Sequence, residues 1–177
     1  MLLTGPVGAG KSTVAVVLGS QLREVGCAAA VIDLDEVYCM ARQGDGFGDG
    51  DTWRLARCGA AALADSLFSN GMDAVIVEGG FFDEEECAEL TKRVAATSRV
   101  ILVALEVSFD RVWDRVCADP SPGRVASRDA LFLRQLHTDF VRALPYLSSA
   151  GMCFDGNERG PEELAGAIAS AVLGVVG

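Results

Sequence analysis

Eight consecutive residues near the start of the chain have the types and spacing of a phosphate-binding loop. Residues 5–12 read Gly-Pro-Val-Gly-Ala-Gly-Lys-Ser and fit the pattern G-x-x-x-x-G-K-[ST]. The glycines let backbone N–H groups curl around an oxyanion, Lys11 adds a positive charge for phosphates, and the Ser12 hydroxyl suits Mg²⁺. A helix that begins near Lys11 would point its positive dipole end at the same phosphates. The segment predicts binding of a nucleoside triphosphate by Gly5, Val7, Gly8, Ala9, Gly10, Lys11, Ser12 and Thr13.

Carboxylates follow two of the apolar runs that read as buried strands. Asp33 and Asp35 come directly after the run at 28–32, and Glu78 follows the run at 74–77. In phosphoryl transfer a carboxylate orients the attacking group, and carboxylates also hold Mg²⁺ or its water ligands. We expect at least one of the aspartates to act at the γ-phosphate, and Glu78 to hold a Mg²⁺-bound water. The alternatives are a helix N-cap for Asp33 and a solvated strand end for Glu78.

Four arginines lie close together after the fourth expected strand. Arg111 and Arg115 are spaced i, i+4 on one helix, and Arg124 and Arg128 adjoin a Pro- and Gly-rich break. Arginines on a segment that moves can close over a transferring phosphoryl group and exclude water. We therefore expect a lid at about 119–128, with Arg115, Arg124 and Arg128 in catalytic roles. The alternative for any one of them is a solvated charge paired with a nearby acid.

The connections after the second and third strands are candidates for binding a phosphate acceptor. Their glycines permit close approach of the backbone to a substrate, and their aromatic and arginine side chains would wall a pocket. Core packing is the alternative for the aromatic residues. The lone His137 is expected to be an ordinary surface or core residue. The predicted acceptor-binding residues are Asp35, Phe47, Trp53, Arg54, Arg57, Gly79, Gly80 and Phe81.

Composition limits the class of protein. The chain has 177 residues, is 50% hydrophobic and carries a net charge of −10, which fits one domain spanning 1–177 and disfavours a nucleic-acid partner. No apolar run reaches the ~18 residues of a membrane span, so we expect no membrane partner. Six scattered cysteines and one histidine argue against zinc and predict reduced, mostly buried thiols in a cytoplasmic protein.

Short apolar runs alternate with amphipathic segments along the whole chain. Strands are expected at about 1–3, 28–32, 74–77, 100–105 and 152–154, and helices at about 14–25, up to 41, 52–69, 83–96, 109–118, 129–144 and from 161 onward. This alternation predicts an α/β fold, a parallel sheet covered by helices on both faces. Ligands of such sheets bind at the carboxyl ends of the strands, which is where Gly5, Asp33, Asp35, Glu78 and Asp155 fall.

Together these motifs resemble the nucleoside-monophosphate-kinase-like branch of the P-loop kinases, which includes adenylate, shikimate, gluconate and adenylylsulfate kinases and chloramphenicol phosphotransferase. The resemblance covers nearly the whole chain. Its parts are the loop at 5–13, the D-x-D of Asp33 and Asp35, the run Glu78-Gly79-Gly80, the R-x-x-x-R of Arg111 and Arg115, the arginines after Pro122, and the closing segment 155–163.

The resemblance implies a three-layer P-loop fold whose five-stranded parallel sheet has the order 2-3-1-4-5. It implies ATP and Mg²⁺ as cofactors, with Arg111 near the adenine and Arg115 at the phosphates. The backbone around Gly156, Asn157 and Glu158 would border the base. The implied metal-associated residues are Ser12, Asp33 and Glu78.

The resemblance also assigns Asp35 as the base that meets the acceptor hydroxyl. The predicted function is transfer of the γ-phosphate of ATP to a hydroxyl of a small molecule, a metabolite or an antibiotic, by a monomer or homodimer. The scarcity of arginines on the acceptor side disfavours a nucleotide as the acceptor. The second hypothesis is a nucleotide-dependent switch or accessory ATPase that acts through a protein partner. A Ras-type GTPase does not fit, because the sequence has no N-K-x-D motif.

Overall fold

The computed structural model describes residues 1–41, 50–92, 98–120 and 128–176. Among them, five parallel strands form one sheet in the order β2-β3-β1-β4-β5. The order implied by the resemblance is confirmed. The strands are β1 (Leu2–Thr4), β2 (Ala29–Asp33), β3 (Ala74–Glu78), β4 (Leu102–Glu106) and β5 (Met152–Asp155).

Helices connect the strands and cover both faces of the sheet. Successive residues of a strand point to opposite faces, so β3 sends Ile76 into one core and Val75 and Val77 into the other. The Ile76 core lies under α1, α5 and α7 and includes Leu133 from the start of α6, and the opposite core lies under α2, α3, α4 and the rest of α6. The described helices are α1 (Lys11–Glu24), α2 (Leu34–Ala41), α3 (Gly50–Ser69), α4 (Glu84–Thr91), α5 (Phe109–Ala118), α6 (Ala130–Ala150) and α7 (Pro161–Val176).

Helix α6 runs past the expected end at residue 144. It continues to Ala150 through Pro145, although proline removes one backbone hydrogen bond from a helix. Phe140 and Leu147, on either side of the proline, are both fully buried. Their burial against the sheet keeps the chain helical across the break.

The expectation of mostly buried thiols is wrong. All six cysteines are free, but only Cys87 is buried, whereas Cys39, Cys117 and Cys153 are exposed. The exposed thiols lie on helix surfaces or on the edge strand β5, where a small residue needs no apolar partner. Within the described ranges, no helix is both long enough and apolar enough to cross a membrane.

Candidate active site

The loop between β1 and α1 is curled in a way that requires glycine. Gly8 and Gly10 have φ values of 81° and 90°, in the left-handed region that side chains with a Cβ rarely adopt. A Cβ on Gly8 would also lie 2.9 Å from Cγ2 of Val116. The loop therefore packs directly against α5 as it turns.

Helix α1 begins at Lys11 with its first turn open. Gly10 at the N-cap position makes no side-chain capping bond, and the first turn holds no acidic residue. Ser12 and Thr13 are both exposed. The first N–H groups and the positive dipole end of α1 are thus available to an anion. This arrangement fits the triphosphate of ATP.

Lys11 folds back over the loop that precedes it. Its ammonium group donates to the carbonyl oxygens of Gly5 and Pro6, each at 3.1 Å. Ala9 is buried in the core beneath the loop, and Val7 packs against that core. Because a phosphate oxygen is a stronger acceptor of a charged donor than a carbonyl is, Lys11 can exchange these bonds for a bound triphosphate.

The loop between β5 and α7 is shaped by Asn157. Its backbone N–H and side-chain Nδ2 donate to Oδ1 of Asp155 at 2.9 and 2.7 Å, and these bonds lower the pKa of that carboxyl below its ordinary value. Its Oδ1 accepts from the Ser108 backbone N–H at 2.9 Å. The Glu158 carboxylate lies 3.5 Å from the Arg111 guanidinium. The loop is therefore tied to the β4–α5 turn and to α5.

Arg111 and Arg115, one turn apart on α5, both donate to backbone carbonyls of the nucleotide loops. Arg111 Nε donates to the Asn157 carbonyl at 3.1 Å. Arg115 donates to the Gly156 carbonyl at 2.8 Å and to the Ala9 carbonyl at 3.1 Å. The residues predicted for the two ends of the nucleotide thus meet along one face of α5.

The residues predicted to hold a metal ion lie together at the carboxyl edge of the sheet. Asp33 and Glu78 are direct partners in the register of β2 and β3. Glu78 is only 2% exposed. Burial raises the pKa of its carboxyl to about 7 against the opposing effects of the Ser12 hydroxyl and the Lys11 charge, and neighbouring Asp33 raises it further.

This donor set fits Mg²⁺ better than a softer metal. One hydroxyl and two carboxylates are hard oxygen ligands, and Mg²⁺ completes its shell with water and phosphate oxygens. In the part of the chain that the structure describes, no group of three or more His, Cys, Asp and Glu side chains could hold an ion by itself. A divalent cation beside Glu78 would favour the charged form that burial disfavours.

Asp33 also caps α2. Its Oδ1 accepts from the backbone N–H groups of Asp35 at 2.8 Å and Glu36 at 3.3 Å. The N-cap alternative therefore describes the structure. It is compatible with a role at a metal ion, because a carboxylate has two oxygens. Asp35 lies in the first turn of α2 and is exposed.

The connection after β3 is closely packed. A Cβ on Gly79 would lie 2.7 Å from the Cβ of Leu34, whereas Gly80 has more room. Phe81 is fully buried, and the Thr4 hydroxyl donates to its carbonyl at 3.0 Å. In this structure Gly79 and Phe81 fix the path of the connection, and Gly80 is the half-buried position beside them.

The first turns of α3 carry two of the predicted acceptor residues. Trp53 stacks on the buried Tyr38 of α2 with ring centroids 4.0 Å apart. Arg54 is exposed and lies 3.8 Å from the Asp51 carboxylate. Trp53 therefore contributes to packing between α2 and α3 while remaining partly exposed, and Arg54 faces solvent.

Arg57 forms a buried ion pair. Its Nε lies 2.7 Å from Glu89 and its Nη1 lies 3.0 Å from Glu86, both on α4. The other oxygen of Glu86 accepts from the Phe82 backbone N–H at 2.7 Å. These contacts give Arg57 a structural role between α3 and α4, and they give no support to its prediction as an acceptor-binding residue.

The predicted lid falls mostly outside the described residues, as do Arg124 and Phe47. Arg128 is described, and its guanidinium donates to the Asp119 carbonyl. Asp129 then caps α6 by accepting from two backbone N–H groups at 2.9 and 3.0 Å. Residues 119 and 128, which bound the predicted lid segment, are thus in contact just before α6 begins.

A comparison with family models decides the family. Residues 1–115 match the model of adenylylsulphate kinase, which is more than half of the 177-residue chain. The chain belongs to the adenylylsulphate kinase family. The suspected branch of the P-loop kinases is thereby confirmed, and the protein is an ATP-dependent small-molecule kinase. No curated protein matches the sequence.

Solved structures of other kinases share the fold at low sequence identity. A shikimate kinase from Acinetobacter baumannii, in complex with shikimate, matches with a TM-score of 0.64 and 18% identity, covering 98% of this chain and 92% of that chain. An unliganded sugar kinase from Janibacter sp. HTCC2649 matches with a TM-score of 0.64 and 16% identity, covering 97% and 92%. A shikimate kinase from Bacteroides thetaiotaomicron gives 0.61 and 17%, covering 99% and 96%. These likenesses show the fold.

Several residues that position the site of this kinase were not predicted from the sequence. Thr4 was the one polar residue of the apolar run before the loop, which was a usable signal. Glu86 follows Asp83 in a D-x-x-E helix-start pattern, and Asp83 caps α4. His137 donates from Nε2 to the Val107 carbonyl at 2.9 Å, a contact that no spacing rule indicates. His137 is half-buried on α6.

Proposed function

We propose that the kinase transfers the γ-phosphate of ATP to a hydroxyl of an uncharged or cationic small molecule, with Asp35 as the base. The observation that supports this most is the meeting of Ser12, Asp33 and Glu78 beside the phosphate-binding loop. Asp35, two positions after Asp33 in the first turn of α2, is the next carboxylate along this edge. The arrangement has the parts that in-line phosphoryl transfer needs.

The donor end stabilises charge on the triphosphate. Lys11 and the open first turn of α1 bind the β- and γ-phosphate oxygens. Ser12, Asp33 and Glu78 would hold Mg²⁺, directly or through water. The ion would supply neutralisation of the negative charge on the triphosphate.

The acceptor end supplies the proton acceptor. A bond forms between the substrate hydroxyl oxygen and the γ-phosphorus, and the bond from that phosphorus to the leaving oxygen of ADP breaks. The hydroxyl proton passes to the Asp35 carboxylate. The arginines proposed to close over the transferred group are Arg124 and Arg128, and the residues proposed to border the acceptor are Phe47, Trp53, Arg54 and Gly80.

The charges around the acceptor end argue against an anionic acceptor. Among the described residues of α2, α4, the first two turns of α3 and the 79–83 connection, Arg54 is the only exposed cationic side chain. Arg57 is already neutralised by two glutamates. Exposed acids outnumber these cations in the same elements: Asp35, Glu36, Asp51, Asp83, Glu84 and Glu85. Adenylylsulphate, which gives the family its name, carries phosphate and sulfate charges that such a surface would repel.

The direct test is acceptor-dependent release of ADP from ATP and Mg²⁺. Three sets of hydroxyl compounds would be compared: anions such as adenylylsulphate and shikimate, neutral sugars and polyols, and cationic amino sugars. We expect turnover with a neutral or cationic compound and none with the anions. Turnover with adenylylsulphate, with a KM no higher than that for any neutral compound, would show that the charge argument is wrong.

A matched pair of variants tests the base. Asp35→Asn should lower kcat by about 10²–10⁴-fold with little change in the KM for ATP, because general-base catalysis contributes that much. Glu36→Gln, one position along the same turn, removes an exposed charge and should leave kcat within about twofold. If both variants behave alike, Asp35 is not the base.

The same assay separates the kinase from the switch hypothesis. A switch would hydrolyse ATP slowly with every compound and would bind a protein in one nucleotide state only. Pull-downs in the presence of ADP and of a non-hydrolysable ATP analogue would show whether a protein binds in only one nucleotide state. We expect no nucleotide-dependent partner once an acceptor that accelerates turnover has been found.

A further inference from the structure

We infer that Arg115 is a positioning residue that holds the phosphate-binding loop and the β5–α7 loop at a fixed separation, so that one ATP molecule can bind both. Its two guanidinium nitrogens reach different loops. Nη1 donates to the Ala9 carbonyl at 3.1 Å and Nη2 donates to the Gly156 carbonyl at 2.8 Å. The acceptors lie 106 and 41 positions away from Arg115 in the sequence.

The two loops have no shared strand that would hold them together. The phosphate-binding loop follows β1 and the other loop follows β5, and β4 lies between these strands in the sheet. Gly156 is anchored by its N–H to the Glu106 carbonyl of β4 at 2.9 Å. Arg115 adds a link that spans the width of three strands by one side chain.

Other residues of α5 pack directly against the phosphate-binding loop. Gly8 approaches this face so closely that a Cβ would lie 2.9 Å from Val116 Cγ2 and 3.2 Å from the Val112 carbonyl. Val112 and Val116 are both fully buried. Arg115 itself is half-buried between them. The packing of α5 therefore fixes the backbone position from which the Arg115 side chain reaches the two carbonyls.

The resemblance stated above implies a different role, in which Arg115 binds phosphates. A side chain that swung to a phosphate would release the Ala9 and Gly156 carbonyls together. The bridging role predicts that Arg115 acts on ATP as a whole, because preorganised loops lower the cost of binding a ligand that contacts both. The phosphate role predicts an effect on any ligand that carries a triphosphate.

Three ligands distinguish these roles. Dissociation constants would be measured by calorimetry or by competition with a labelled nucleotide for a non-hydrolysable ATP analogue, for inorganic tripolyphosphate and for adenosine. For Arg115→Ala we expect about a tenfold weaker affinity for the ATP analogue, a typical coupling between two sites. The affinities for tripolyphosphate and adenosine should each change less than about twofold.

Arg115→Lys separates bridging from charge and also serves if the alanine variant does not fold. Lysine keeps the positive charge but cannot donate in a planar fork to two acceptors. We expect it to bind the ATP analogue as weakly as the alanine variant. Arg142→Ala, which removes an exposed arginine paired only locally with Asp139, should bind all three ligands like the wild type.

Two results would overturn the inference. One is a parallel loss of tripolyphosphate and ATP affinity, which would make Arg115 a phosphate ligand. The other is wild-type ATP affinity in Arg115→Lys, which would mean that charge alone suffices. The inference rests on the ATP binding of the proposed function and not on the acceptor. The binding assay for Arg115 and the turnover assay for the acceptor can therefore give negative results independently. A wild-type protein that binds no ATP analogue would count against the proposed function, whereas ATP binding that ignores Arg115 would count only against the bridge.

Discussion

The donor and acceptor sides of the kinase use arginine in opposite ways. On the donor side, Arg115 donates to uncharged backbone carbonyls of both nucleotide loops, and Arg111 donates to a backbone carbonyl while its only described carboxylate neighbour, Glu158 at 3.5 Å, is largely exposed. On the acceptor side, Arg57 is paired with two glutamates and is buried. Arg115 therefore keeps its positive charge for an anion at the proposed donor side, whereas two glutamates neutralise Arg57 at the proposed acceptor side.

This difference explains how one small, acidic chain can hold a triphosphate. A net charge of −10 would disfavour any anion if it were spread evenly. Lys11, Arg111, Arg115 and an open helix start lie at the two nucleotide loops, whereas α2 and α4 carry six acidic side chains and no lysine or arginine. In the proposed reaction, two substrates of different charge approach these two regions of the same sheet edge.

The largest expected effect is a loss of stability on the proposed acceptor side. Arg57→Ala should lower the free energy of unfolding by about 3–5 kcal/mol, because it leaves the buried Glu89 carboxylate without its partner. Arg54→Ala, three positions earlier, removes an exposed arginine and should cost less than about 1 kcal/mol. Urea unfolding measures both. Equal, small effects would mean that the Arg57 pair does not stabilise α3 against α4.

The next largest expected effect is a loss of catalytic efficiency on the proposed donor side. Lys11→Ala should lower kcat/KM by about 10²–10³-fold, since it removes one preorganised cation at the transferred phosphoryl group. Lys92→Ala is the control, because Lys92 is the only other lysine of the chain and lies at the exposed end of α4. Steady-state rates for both variants decide the matter, and a Lys11 variant that turns over like the control would contradict the assignment.

The smallest expected effect is a change in the KM for ATP caused by a substitution in the loop after β5. Asn157→Ala removes bonds to Asp155 and Ser108 and should raise the KM for ATP about fivefold, as expected for the loss of about 1 kcal/mol of hydrogen bonding. Asn70→Ala removes a comparable bond at the end of α3 and should leave this KM unchanged. A change in the KM for the acceptor, with the KM for ATP unchanged, would contradict the assignment of Asn157 to the nucleotide end of the site.

The fold could be predicted because its signals are local. The phosphate-binding loop is one contiguous segment, and buried parallel strands read as short apolar runs ended by polar residues such as Asp33 and Glu78. The sheet order came from the resemblance. The continuation of α6 through Pro145 was missed, because burial of Phe140 and Leu147 outweighs the local cost of proline.

The pairing of the arginines could not be predicted from spacing. Arg57 meets Glu86 and Glu89, which lie 29 and 32 positions away, and Arg115 reaches Ala9 across 106 positions. Such contacts depend on which helices become neighbours after folding. The sequence showed which side chains carry charge, whereas the fold determines which of those charges remain available to substrates.

The capping bonds of Asp33 and its proposed role at Mg²⁺ together limit which residues could replace it. Asparagine or serine would keep the α2 cap but would give up the negative charge proposed for the ion, and glutamate would keep the charge with a longer reach that loses the bonds to Asp35 and Glu36. A change of the proposed acceptor preference is therefore better sought at Arg54, which is exposed on α3 and takes no part in the α2 cap.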